Sequence, residues 1–480
     1  MVELLLAAFL VPILGGVCTL ILPRGWVKGF SQAIAFVAFV CSLMVLIALG
    51  MAGQTAVTID LVHFAGMVVF GVIADKMSAL IGLAVILVGF LVVVYSAGYL
   101  GPGNREHPEP EVKRRYYFFL LIFIGSMAGL VYSSTMIEML VFFELTGVCS
   151  WGLIGYYDDP QAHKSALKAI VTTQVGSLGL YVATAFFLVL SGSTQLSLLA
   201  GLPDGAKLVI FTGILIAAWS KSAQLPFHFW LPDAMVAPTP ISAYLHAASM
   251  VKAGAYIFAR CLISAGKIPT SIGTVGAVMA VVTMVYGFIM YFPQRDLKRL
   301  LAYSTITQLS YIFLALSVSI FGSQMAFNGA IAHIFNHAFA KGLFFLVAGA
   351  LSYAAGTKML PSLKGVMSKM PLVGISFAVA MLGVSGVPPF NGFFSKFSIL
   401  AGGFMAARTH ALLMVLMVVA VLETVGSFAW IFWVFGAAVP GEPSAEVAAA
   451  APLAPQIQLV LVLLALLTLL SGYFAAVWMG

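Results

Sequence analysis

The sequence predicts an all-α polytopic membrane protein of about 14 transmembrane helices, with two inverted five-helix repeats and broken seventh and twelfth helices. Three observations predict it. Hydrophobic residues fill 62% of the 480 positions and charged residues only 8%, where a soluble domain carries roughly 25% charge. Apolar stretches of about 20 residues, the length that crosses a bilayer core, recur from Val2 to Trp478. No hydrophilic segment is long enough to bury a core of its own, so nucleotide or redox chemistry is expected in other chains.

The spans fall at about 3–22, 29–51, 75–99, 116–133, 135–156, 166–190, 208–230, 239–262, 270–292, 299–319, 324–354, 372–404, 411–436 and 456–478. The first has no basic region before it, carries Glu3 and exceeds a signal-peptide core; a retained helix with the mature chain starting near Met1 is expected. The polar stretches GPGNREHPEPEVKRR at 101–115 and GEPSAEVAAAAPLAP at 441–455 are rich in Gly, Pro and charge and read as connectors. Cys18, Cys41, Cys149 and Cys261 lie in or beside apolar stretches without metal-ligand spacing and read as small buried hydrophobes.

Charge placement sets the expected orientation. The connections after spans 1, 3, 5, 9 and 11 hold Arg24, Lys28, Arg105, Lys113, Arg114, Arg115, Lys164, Lys168, Arg295, Lys298, Arg299, Lys358, Lys364 and Lys369, 14 of the 23 basic residues. The other connections and helix ends hold Lys76, Lys207, Arg260, Lys267 and Arg408. Basic loops stay cytoplasmic, so both termini are expected on the non-cytoplasmic side of a cytoplasmic (inner) membrane.

Two spans are interrupted by proline, the seventh by Pro226 and the twelfth by Pro388 and Pro389, and each carries a lysine. Proline frees backbone carbonyls, which is tolerable at membrane depth only where they face protein or water. Two such spans, five helices apart, suggest related units of opposite topology, the plan of a transporter. The division is 1–115 for the first three helices, 116–262 for the first repeat, 263–436 for the second and 437–480 for the last helix.

Lys221, Lys252, Lys341 and Lys396 fit neither side of the membrane, because each lies within an apolar stretch. An ionisable group there costs about 2.5–3.5 kcal/mol on insertion scales, so several together need a compensating role. Glu144, His246, His333 and His337 join them as candidates for proton translocation. Lys221, about 13 residues into its span, is too deep to snorkel easily, and a facing Glu144 would switch it between charged and neutral states. A static ion pair is the alternative. His333, His337 and Lys341, spaced i, i+4, i+8, line one helix face over about 12 Å, and water can bridge such gaps. Two histidines without a matching Cys or carboxylate argue against a metal. His246 alone also reads as a packed hydrogen-bonding residue. Lys396 follows the second break as the counterpart of Lys221. Glu138, near a helix start, reads as solvated, whereas Glu423 reads as buried with no assignable partner. Asp158, Asp159 and Asp233 read as structural or capping residues.

At this point ELTGVCSWGLIGYY at 144–157, SKSAQLPFHFWLPDAMVAPTPISAYLHAASMVKAG at 220–254, HIFNHAFAKGLFFLVAGAL at 333–351 and GVPPFNGFFSKFSIL at 386–400 resemble the antiporter-like membrane subunits of respiratory complex I, of the L, M or N type and closest to L. The resemblance covers spans 4 to 12. It implies a fourteen-helix fold with inverted repeats and a central hydrophilic axis for protons. By position, the family's helix 5 glutamate is Glu144 and its helix 7 lysine Lys221. Its helix 8 site includes His246 and Lys252, its helix 11 relay is His333, His337 and Lys341, and its terminal helix 12 site is Lys396. Two departures stand out: the chain ends at Gly480 without a lateral helix, and the sixth span reads TTQVGSLGL where subunit L usually has charged residues. In those respects it is similar to members from membrane-bound hydrogenase, formate hydrogenlyase and multisubunit sodium/proton antiporter complexes.

The resemblance implies a lipid-embedded subunit among other membrane subunits, further antiporter-like ones included, and a peripheral redox arm, with no nucleic acid partner. It implies no catalytic redox centre, cofactor or metal in this chain; iron-sulfur clusters and a flavin or nickel-iron centre are expected in partners. Two other readings remain, a sodium/proton antiporter subunit, which needs oxygen-rich sodium coordination, and a structural membrane scaffold. Glu144→Gln separates a gate from a static ion pair: loss of proton pumping in vesicles with normal assembly is expected of the gate.

Overall fold

The computed structural model describes residues 1–111 and 113–480. Long apolar segments fold as helices because hydrocarbon offers backbone N–H and C=O groups no other partner. In chain order they are α1 (Val2–Thr19), α2 (Arg24–Met51), α3 (Lys76–Tyr99), α4 (Arg114–Tyr132), α5 (Met136–Ile154), α6 (Pro160–Ser191), α7 (Asp204–Lys221), α8 (Trp230–Asp233), α9 (Thr239–Ala247) and α10 (Met250–Ala265). The second half comprises α11 (Thr270–Ile289), α12 (Leu297–Ser319), α13 (Gln324–Ala355), α14 (Val366–Lys369), α15 (Pro371–Ser385), α16 (Asn391–Ala407), α17 (Ala411–Ala438), α18 (Ala445–Ala448) and α19 (Pro455–Met479). Among the described residues eleven helices are long and apolar enough to cross a membrane, and the chain is a multi-pass membrane protein.

The helices are arranged around α13, which packs against α3, α9, α12, α15, α16 and α19. Over their membrane-length stretches α12 and α13 are completely buried, whereas less than half is buried in α1, α2, α6, α17 and α19. Leu14, Val182, Leu422 and Leu470 are among the large apolar side chains turned outward there, as a lipid-facing surface requires. Cys18 is exposed on this outer surface and Cys41 partly so, a correction to the buried reading, while Cys149 and Cys261 are buried.

Helix starts follow local chemistry. Asp75 accepts from Ser78 N at 2.8 Å while Ser78 Oγ accepts from Asp75 N at 2.8 Å, a reciprocal cap on α3. Asp159 caps α6 and Asp296 caps α12 in the simpler way. Asp158 pairs with Lys113 and Arg115, and Asp233 with Lys168.

Several expectations change. Between the spans expected at 29–51 and 75–99, residues 57–74 form an antiparallel hairpin of β1 (Val57–Phe64) and β2 (Met67–Ala74), with Val57 opposite Ala74. It lies against the start of α5, where Gly71 N donates to Glu138 Oε2 at 3.3 Å. Glu138 is therefore buried, at 4% exposure, not solvated. The eighth span, expected unbroken over 239–262, is interrupted at Ala248 and Ser249 between α9 and α10. Ser249 Oγ there bonds back to Tyr244 O at 2.9 Å, replacing part of the helical ladder. Lys207, Lys298 and Arg260, assigned to connections or helix ends, are buried: the two lysines satisfy backbone carbonyls and Arg260 pairs with a carboxylate. Lys207 donates to the carbonyls of Ala200, Ala265 and Lys267 at 2.9–3.1 Å. Lys298 donates to Met235 O at 2.8 Å and Ala237 O at 2.7 Å. Arg260 grips both oxygens of Asp75, at 2.5 and 3.0 Å, fastening α10 to the start of α3.

The loop after α3 is bolted over the end of α13. Arg105 N bonds to Tyr353 O at 3.0 Å, and Glu106 pairs with Lys358 at 2.5 Å. Burial works against both charges, but the pair's mutual attraction and hydrogen bond hold the Glu106 carboxyl below the usual carboxylate range and lift Lys358 above its own. A depressed carboxyl contributes stability above its unfolded pKa and loses it as pH falls through the folded value. Glu106→Gln is thus expected to lower the thermal midpoint in detergent by a few degrees at neutral pH. The gap from wild type should narrow in acid, as a pH series of melting curves will read; a gap constant with pH would remove the ion pair as its cause.

Candidate functional site

The candidate residues meet along a buried strip that runs across α5, α7, α9, α10, α12, α13, α16 and α17. At one end, α7 does not continue through the expected 208–230; it stops at Lys221, five positions before Pro226. The helix ends there because side chains take over its carbonyls: Trp230 Nε1 donates to Ser220 O at 3.0 Å and Gln224 Nε2 to Ser222 O at 3.0 Å. Ala223 takes the left-handed backbone, at φ 50°. Pro226 lies within the resulting non-helical stretch.

Lys221 is 1% exposed. Its Nζ donates to Phe143 O at 2.8 Å and lies 4.3 Å over the Phe143 ring. The expected contact pair with Glu144 is not formed, because the Phe143 carbonyl and ring take the ammonium. Glu144 still acts on Lys221 through space, and its Oε1 is buried without a protein partner among the described residues.

The middle of the strip is basic. Lys252 enters on the first turn of α10, beyond the break from His246 on α9, and its buried Nζ has no protein partner among the described residues. His246 Nδ1 bonds Thr305 Oγ1 at 3.0 Å, and its ring lies 4.5 Å from that of Phe345. On α13, Lys341 Nζ donates to Ser304 Oγ at 2.8 Å. His333 bonds Ser395 Oγ at 2.9 Å through Nδ1 and Gln308 Oε1 at 3.2 Å through Nε2. Between them His337, 5.8 Å ring to ring from His333, has no protein partner on either nitrogen among the described residues.

At the other end, the break between α15 and α16 spans 386–390 and contains Pro388 and Pro389 as expected. Gly386 adopts φ 82°, a conformation only glycine takes readily. Lys396 Nζ lies 4.8 Å over the Tyr311 ring and reaches Ser385 O at 3.4 Å. Tyr311 Oη donates to Glu423 Oε2 at 2.5 Å, and Ser427 donates to Glu423 Oε1. Glu423 thereby gains the partners that sequence reading lacked. Both ends repeat one motif: a lysine over an aromatic face, with a carboxylate acting through space.

Sequence reading placed the span at 299–319 but missed the polar face of α12. Ser304, Thr305, Gln308 and Tyr311, at i, i+1, i+4 and i+7, form the polar stripe against which Lys341, His246, His333 and Lys396 rest. The signal was the run STITQLSY at 304–311 in the span of lowest mean hydropathy among those long enough to cross.

Interrupted helices around a buried row of ionisable groups define a polytopic membrane protein with the broken-helix plan seen in transporter folds. Comparison with known proteins narrows this. The transmembrane family described as NADH:quinone oxidoreductase/Mrp antiporter matches residues 133–424. A chloroplastic NAD(P)H-quinone oxidoreductase subunit 5 from Zygnema circumcarinatum is 35% identical over 69% of this chain and 48% of its own length. A Na(+)/H(+) antiporter subunit A1 from Staphylococcus aureus strain MRSA252 is 35% identical over 80% of this chain and 49% of its own. This chain thus spans about half the length of these relatives. Among solved structures, the Mrp complex from Dietzia sp. DQ12-45-1b superposes with a TM-score of 0.86 at 29% identity, over 99% of this chain and 51% of that one. An archaeal membrane-bound sulfane sulfur reductase shares the fold, with a TM-score of 0.83 at 24% identity over 99% of this chain and 94% of that one. The chain belongs to the NADH:quinone oxidoreductase/Mrp antiporter transmembrane family.

Tyr311→Phe keeps the ring under Lys396 and removes one donor from buried Glu423. A loss of about 1–3 kcal/mol is expected for a buried acceptor left short, read as a lower thermal midpoint in detergent; an unchanged midpoint would show that Glu423 is satisfied without Tyr311.

Proposed function

We propose that this chain carries protons across the cytoplasmic membrane as one membrane subunit of a multisubunit, redox-driven complex of the complex I type. The carrying observation is the basic middle of the strip: Lys252 and His337 are buried beside Lys341 without protein partners among the described residues, with a lysine–aromatic–glutamate cluster at either end. Unpaired buried ionisable groups are costly to maintain and mark ion pathways. A proton on one of these groups raises the cost of a proton on the next, so charge moves along the row in response to events at its ends.

In this reading a shift of Glu144 relative to Lys221 starts the transfer. Lys252, His337 and Lys341 pass the proton with bridging water, His246 and His333 orient the relay through Thr305, Gln308 and Ser395, and Lys396 with Glu423 completes it. The breaks at 222–229, 248–249 and 386–390 support 14 crossings, each interrupted pair counted once, and a repeat of opposite topology. Both termini lie on the non-cytoplasmic side. The driving redox arm, with its iron-sulfur clusters and flavin or nickel-iron centre, belongs to partner subunits, beside further antiporter-like ones.

A second reading, a subunit of a sodium/proton antiporter, is favoured by likeness to the Staphylococcus aureus antiporter subunit and the Dietzia Mrp complex. Sodium needs several oxygens around one point, and buried Glu423 is already committed to Tyr311 and Ser427. Sodium-dependent turnover would favour this reading. The test is proton pumping by the intact complex in sealed vesicles with Lys221→Ala. A drop of about tenfold or more, worth about 1.4 kcal/mol, is expected with assembly and turnover of the partners retained. Unchanged pumping would make the buried charges structural and the chain a scaffold.

A further inference from the structure

On the outer surface of the second half, the end of α11, the loop before α14 and α17 enclose a groove of about 270 Å³. Phe292, Leu360, Trp430 and Trp433 wall it, and Arg295 and Lys364 line it from the basic-loop end. The Phe292 and Trp430 rings lie 4.6 Å apart, and Trp430 stacks on Trp433 at 4.8 Å. The two cations are exposed. Among the described residues their backbone carbonyls are bonded, by Leu360 N at 2.8 Å and Ser444 N at 3.1 Å, but their side chains have no protein partner. Trp430 Nε1 is buried and likewise unpartnered.

A second basic groove makes the contrast. It is lined by Arg24, Lys113 and Arg115, but these pair with Glu111 and Asp158. At Arg295 and Lys364 no ion pair forms among the described residues, and the two cations line an aromatic slot on the outer surface. An acyl chain fits such a slot, the two cations call for a phosphate, and the indole N–H suits an ester or phosphate oxygen. One occupant supplies all three. We propose that this groove binds an anionic phospholipid, its phosphate against Arg295 and Lys364 and one acyl chain along Phe292, Trp430 and Trp433.

The test uses the full chain reconstituted in phosphatidylcholine vesicles doped with acyl-brominated phosphatidylglycerol or acyl-brominated phosphatidylcholine, read by quenching of tryptophan fluorescence. Stronger quenching by the phosphatidylglycerol is expected. Its preference should fall roughly fivefold for each cation removed in R295Q and K364Q, while quenching by brominated phosphatidylcholine persists and reports an intact fold. In W430F/W433F the preference should vanish. Equal quenching by the two lipids in wild type, or a preference unchanged in R295Q/K364Q, would overturn the proposal. Displacement by inorganic phosphate would make the ligand a free anion only, and loss of the preference in the intact complex would assign the groove to a neighbouring subunit; either result also overturns it.

Discussion

Burying lysine and histidine in a medium that cannot solvate them is the constraint from which the rest of this architecture follows. Every buried amine and imidazole must find a carbonyl, a hydroxyl, an aromatic face or a water. The structure provides the first three unevenly. Carbonyls and rings are gathered at the ends, under Lys221 and Lys396, and hydroxyls and an amide are supplied by one helix, α12. The least satisfied groups, Lys252 and His337, fall between. Burial of α12 and α13 across the membrane-length stretch is a consequence, since a helix lending polar groups to this row cannot also face lipid.

The interrupted helices answer the same constraint. A continuous helix consumes its own carbonyls, whereas a broken one releases several at membrane depth. Ser385 O, freed near the break after α15, is one that Lys396 reaches. Tryptophan, serine and glutamine side chains absorb most of the rest around Lys221. The breaks are thus part of the chemistry that lets charges sit where they do, with left-handed Ala223 and Gly386 making the turns at 222–229 and 386–390.

How much of this the sequence shows depends on how rare each signal is. A lysine inside an apolar stretch has few explanations, so Lys221, Lys252, Lys341 and Lys396 stand out from one sequence, and the diproline break at 388–389 does as well. Serine, threonine and glutamine are common in buried helices, so the stripe on α12 is visible only once His246, His333 and Lys341 are seen to rest on it. The break at Ala248 and Ser249 carries neither proline nor glycine, and the helix period runs through it unmarked. Lys298 and Arg260 lie near helix ends, where water is the simpler expectation; their burial depends on a loop and on Asp75, both distant in sequence. Alternation in VTIDLVHF foreshadows the hairpin, but a short run between two spans reads equally well as a connector.

The central helix α13 has 32 residues, a rod of about 48 Å at 1.5 Å per residue, against a hydrocarbon core of about 30 Å. Tilt within the usual range of 0–40° does not absorb the excess, so the rod emerges into the headgroup region. The helix bearing His333, His337 and Lys341 is therefore a lever longer than the membrane is thick. Because six neighbouring helices enclose it over its membrane-length stretch, packing and not lipid holds the register of those side chains against α12.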